Sequence, residues 1–127
     1  MKCTDTEHAL IQAMEQWEII DCHEHLGPEA KRLEMDVDVF TLFAHYTRGD
    51  LLVAGMSDAD YNALFNHAIP LDKRWAMFAP YLEQIRYSSY ARAAILAAQK
   101  FYGADIGPDS YREISERMKA GNTRGIY

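Results

Sequence analysis

The chain has 127 residues, enough for one domain or for part of a larger one. Its formal net charge of −6 and pI near 5.3 argue against nucleic acid and anionic membranes as partners, since both are bound through basic surfaces. Hydrophobic residues at 49% and charged residues at 25% are an ordinary globular balance, and no apolar run approaches the roughly 18 residues of a membrane span. The start, MKCTDTEHAL, is acidic and lacks an apolar signal core, so export is not expected. Cys3 and Cys22 make no disulfide framework, and a reducing, cytoplasmic setting fits best.

Thr4 and Glu7 form a T-x-x-E capping box, which predicts a first helix carrying Leu10, Ala13, Met14 and Trp17 at helical spacing. The pattern changes at Glu18. EIIDC has two adjacent β-branched residues, runs into HEHLGPE and is punctuated by Gly27-Pro28, which predicts one strand over residues 18–25. Everything after Pro28 reads as helix and loop. Asp36 or Asp38 can cap a helix carrying Val39, Phe40, Leu42, Phe43 and Tyr46. Ser57 can cap one carrying Tyr61, Leu64 and Phe65. Asp72 can cap another, which Pro80 should kink or divide. Ser88 or Ser89 can cap YARAAILAAQKFY, stopped by Gly103, and Asp109 or Ser110 can cap YREISERMKA, stopped by Gly121. The terminal RGIY is the other strand candidate. A nearly lone strand is odd, because its backbone groups need partners.

His23-Glu24-His25 carries the chemical signal. On a strand, alternate side chains share a face, so His23 and His25 point together, with Cys22 and Glu24 opposite. Two imidazoles at a strand end can hold a divalent metal such as zinc, although two ligands do not complete its tetrahedron. Cys22, on the other face, reads as a buried apolar residue. His8 reads as solvated, and His67 as an ordinary histidine after a helix end. A second cluster follows at His45, Tyr46, Arg48 and Asp50. An Arg fork there can clamp a substrate carboxylate. Equally, Arg48 and Gly49 can be the polar, glycine-terminated end of a helix.

IIDCHEHLGPE resembles the first-strand motif of the amidohydrolase superfamily, metal-dependent (β/α)8 barrels whose opening strand ends in H-x-H. More narrowly it resembles the uronate isomerase-like members, which have a helical insertion after that strand. AHYTRGDLLVAGMSDAD and the later AAQKFYG are similar to stretches of it. The resemblance implies a mostly α chain that is the N-terminal part of a TIM barrel. Residues 1–28 would supply the first helix and strand, and residues 29–127 the helical insertion. It implies a divalent metal at His23 and His25, expected to be zinc, and substrate contacts at His45 and Arg48. A barrel takes about 250 residues. The chain is therefore expected to be part of a longer enzyme, a hydrolase or a sugar-acid isomerase. Alone it should be inactive, because the catalytic base and the remaining ligands are not in it. The expected partner is a small molecule, with a carboxylate as its handle; homo-oligomers are compatible with this. The alternative is a self-contained helical interaction domain in which His23-x-His25 is incidental.

Overall fold

In the computed structural model, the described residues are 4–125 apart from 21, 23, 24 and 26. The chain is mostly helical. Helix α1 spans Asp5–Glu15, and its capping box is formed in both directions: Glu7 N–H donates to Thr4 Oγ1 at 3.2 Å and Thr4 N–H to Glu7 Oε2 at 2.6 Å. None of its residues is buried.

No strand occurs among the described residues. Glu18, Ile19, Ile20, Cys22 and His25 have no regular structure, and Ile19 and Ile20 are 83% and 86% exposed. The strand expected over residues 18–25 is therefore not formed at these positions, and Asp21, His23 and Glu24 lie outside the described residues. The physical reason is the missing ladder: without a neighbouring strand, extended backbone is better hydrated than paired. Cys22, expected to be buried, is exposed for the same reason. In the terminal RGIY, Arg124 and Gly125 form a turn, and Ile126 and Tyr127 lie outside the described residues.

The body begins at α2 (Glu29–Leu33). Polar contacts fasten it to the end of the chain. Arg32 donates to Asn122 Oδ1 and to the Thr123 carbonyl, Asn122 Nδ2 donates back to the Arg32 carbonyl, and Gly125 N–H donates to Glu29. Asp38 then caps Val39–Phe43 by accepting from Phe40 N–H at 3.0 Å, but the turn that follows is a 3₁₀ helix, not the longer α-helix expected. It stops because Ala44 turns extended, with φ of −69° and ψ of 165°, and His45 after it has φ of 68°. A left-handed residue ends any helix, and a new one, α3 (Thr47–Val53), starts immediately. Arg48 and Gly49 thus lie in a first helical turn, and the alternative of a helix C-terminus does not hold.

Helix α4 (Asp58–Leu64) is capped by Ser57 as expected, its Oγ accepting from Asp60 N–H. Helix α5 (Leu71–Ile85) starts after Pro70, one residue before the expected cap Asp72, and runs through Pro80 undivided. Burial of Trp75 and Phe78 before the proline and of Leu82 and Ile85 after it holds both halves on one core. Helix α6 (Ser89–Tyr102) is capped by Ser88 and ends at Gly103 with φ of 70°. A Cβ there would meet only the flexible tip of Arg117 at 3.0 Å, so it is the left-handed backbone that calls for glycine. Helix α7 (Tyr111–Gly121) closes the fold.

The core centres on Phe40, Phe43 and Phe78, all fully buried. Phe78 meets Phe40 edge-on at 5.5 Å and Phe43 at 4.7 Å between ring centroids. Each such side chain contributes roughly 1.5–3 kcal/mol through burial. Ala91, Ala94 and Ala98 give α6 a small-residue face that approaches the 3₁₀ helix closely. Ser115 of α7, itself buried, accepts from Val39 N–H at 3.1 Å and so satisfies a donor at the 3₁₀ start. Trp75 stacks on Tyr111 at 4.5 Å and 4°. No helix among the described residues is long and apolar enough to cross a membrane.

Outside the core, Asp72 accepts from the Tyr111 hydroxyl at 2.8 Å and pairs with Arg112. These hydrogen bonds hold its carboxyl below the usual aspartate value of 3.8, with the Tyr111 contribution the larger. The sign follows from a depressed folded-state pKa: the contribution is present above that value and is lost as pH falls through the folded one. Asp72→Asn should therefore lower stability slightly at neutral pH, leave it nearly unchanged at the acid end and so flatten the acid limb of the stability curve, as read from urea midpoints between pH 2 and pH 7.

Candidate functional site

The left-handed conformation of His45 turns its ring back over the chain that precedes α2. His25 and His45 lie 5.2 Å apart, centroid to centroid, in an edge-on arrangement. Tyr46 joins them, 4.7 Å from His45 and 6.5 Å from His25. Its other side is covered by Tyr90, stacked nearly parallel at 5.0 Å and 16°. All four side chains reach solvent. A positive φ at a non-glycine residue costs of order 1–3 kcal/mol, and such residues concentrate at functional sites.

Tyr90 is positioned through Ser88. The Ser88 hydroxyl accepts from Ala91 N–H as the α6 cap and donates to Asp50 Oδ2 at 2.5 Å, tying the α6 start to α3. Arg48 projects from the first turn of α3, pairs with Asp58 and lies 5.8 Å above the Tyr61 ring. Burial pushes the Tyr61 hydroxyl above its usual pKa, opposed by a hydrogen bond from the His45 backbone and by the Arg48 charge. The guanidinium is thus already matched to a carboxylate of its own chain, and a ligand carboxylate would have to displace Asp58.

Of the residues singled out in the sequence, His25, His45 and Tyr46 come together, with Arg48 and Asp50 on the adjoining helix. His23 lies outside the described residues. His8 is exposed. His67 is not a bystander: its Nδ1 lies 3.6 Å from Asp38 Oδ2, the carboxylate that also binds Arg74. Tyr90, Asp58 and Tyr61 carry no sequence signal for this site; each reads as a helix cap neighbour or core aromatic until the fold places it.

Imidazole donors suit a borderline ion such as zinc, and His25 supplies one. Among the described residues, however, no group of three or more His, Cys, Asp or Glu is poised around a common point, so these residues alone do not form a closed metal site.

Comparison with known proteins adds no relative: no family model matches the chain, and neither a curated protein nor a solved structure matches it.

Proposed function

We propose that the chain is the N-terminal part of a metal-dependent enzyme of the amidohydrolase superfamily. Its reaction would be hydrolysis at a C–N, ester or carboxyl group, or a sugar-acid isomerisation of the uronate isomerase-like kind. The observation that supports this most is the meeting of His25 and His45, twenty residues apart in sequence, beside the strained backbone of His45. In this reading His23 and His25 hold a divalent metal, zinc by donor chemistry, with further ligands from outside the chain. The metal supplies Lewis acidity toward a bound carbonyl or water. His45 can donate to or accept from a substrate hydroxyl, and Arg48 can exchange Asp58 for a substrate carboxylate.

The test is metal content. His23→Ala and His25→Ala should each lower the bound metal measured on the purified protein, whereas His8→Ala should not. Unchanged metal in His23→Ala removes the pair from the site. In the complete enzyme, Arg48→Lys should raise KM while metal content stays constant, because lysine keeps the charge and loses the planar fork.

A second reading, a helical interaction domain, is favoured by one observation. Among the described residues, every buried hydrophobic one lies between Val39 and Met118, so the helical body fills its core with residues from the 3₁₀ helix to α7 and with none from α1.

A further inference from the structure

Two apolar surfaces of this chain stand open at once. The first is a helix face: Leu10, Ile11, Met14 and Trp17 are 59%, 46%, 58% and 70% exposed, spaced i, i+1, i+4 and i+7 along and just beyond α1. Leu10, Met14 and Trp17, at i, i+4 and i+7, share the spacing of the anchors by which an amphipathic helix enters a groove. The second is such a groove, of about 490 Å³, lined by Met35, Val37, Leu42, Phe101, Tyr102 and Met118. Phe101 is 70% exposed at its edge.

Charge pairs the two surfaces. From Cys3 to Ala30 the sequence has acidic residues and no Lys or Arg, while from Lys31 onward the two signs balance, so the whole formal charge of −6 sits in the N-terminal segment. The groove lining has no acid and includes Arg32, and the Lys100 ammonium stands 5.6 Å over the Phe101 ring. An acidic helix matches this basic rim, whereas an anionic membrane would repel it.

We propose that α1 docks in the groove of a second copy of the chain, the two copies exchanging their helices reciprocally. The chain carries both halves of the contact yet joins neither to the other within itself: α1 has no buried residue. The described residues between positions 18 and 28 are not helical, which gives α1 reach. Reciprocal exchange closes the assembly with two-fold symmetry and doubles the area buried, whereas one-way docking would leave an open chain of subunits. The inference is independent of metal binding.

The experiment is the mass of the 127-residue chain in solution, by light scattering across a concentration series, together with acrylamide quenching of Trp17. The expected result is a dimer at high concentration. Met14→Glu and Phe101→Glu should each halve the mass, and an equimolar mixture of the two variants should recover dimer, since it retains one intact helix–groove pair. Both residues are largely exposed, so neither variant should unfold the body, as circular dichroism checks. A wild-type chain that is monomeric throughout overturns the proposal, whether Trp17 is quenched freely or is shielded by docking in its own groove. A dimer that survives both substitutions overturns it equally.

Discussion

Exchange of Arg74 for methionine should lower the unfolding free energy by about 3–5 kcal/mol, the usual loss when one partner of a buried ion pair is removed. Arg74 and Asp38 are 3% and 2% exposed and meet at 2.6 Å. The same guanidinium donates to the Leu64 and Ile69 carbonyls at 2.8 and 3.0 Å, and it lies 5.2 Å from the Phe40 ring. One side chain thus joins the 3₁₀ cap, the end of α4 and the start of α5. Methionine fills much of the volume but leaves a buried carboxylate and two carbonyls without their donor. The double variant Asp38→Asn with Arg74→Met should recover part of the loss. It removes the stranded charge while the Asn oxygen still accepts from Phe40 N–H. Urea midpoints of the single and double variants decide this. A single variant within about 1 kcal/mol of wild type would show that the pair contributes little beyond its hydrophobic isostere.

Phe78→Ala should cost a similar amount, about 3–5 kcal/mol. Its ring is fully buried and touches Phe40, Phe43 and Trp75, which belong to two elements that the chain must bring together. The cavity left behind is walled by stiff rings that relax poorly, which places the cost toward the upper end of the range for large-to-small changes. A domain of this size has about 5–15 kcal/mol in total. The variant should therefore melt well below wild type and show its loss in the midpoint of the urea curve, with little change in slope. Phe78→Leu, which keeps most of the volume, should recover more than half.

The helices were legible wherever a single residue type does a local job. Thr4, Ser57 and Ser88 cap because their oxygens reach an N–H two or three residues on, and Gly103 ends α6 because it adopts a left-handed backbone freely. The local sequence misleads where the decisive contact is distant. Val39, Phe40, Leu42 and Phe43 suit an α-helix and a 3₁₀ helix equally, and the break at His45 has no local signature. Asp72 looks like a cap but is held by Tyr111 and Arg112 from α7. The expectation of a strand over residues 18–25 rests on the change of pattern at Glu18, two β-branched residues and the Gly27-Pro28 pair, and such a segment joins a ladder only where a neighbouring strand exists. At the site, His25, His45 and Arg48 stood out by residue type. That Tyr90 would stack on Tyr46, or that Asp58 would pair with Arg48, depends on how α6 and α4 pack.

The isolation of α1 has an energetic consequence. A helix of eleven residues, none of them buried, depends heavily on its capping box, and helices shorter than about 12–15 residues are marginal in water. Its helical form is therefore one member of an equilibrium with unfolded forms. Any surface that recognises the helix sees an apparent dissociation constant equal to the intrinsic one divided by the helical fraction. Substitutions on the solvent side of α1 that raise helix propensity, such as Thr6→Ala, would then tighten recognition without touching the interface. Loss of Thr4 or Glu7 would weaken it from a distance, so the capping box acts as a setting for affinity.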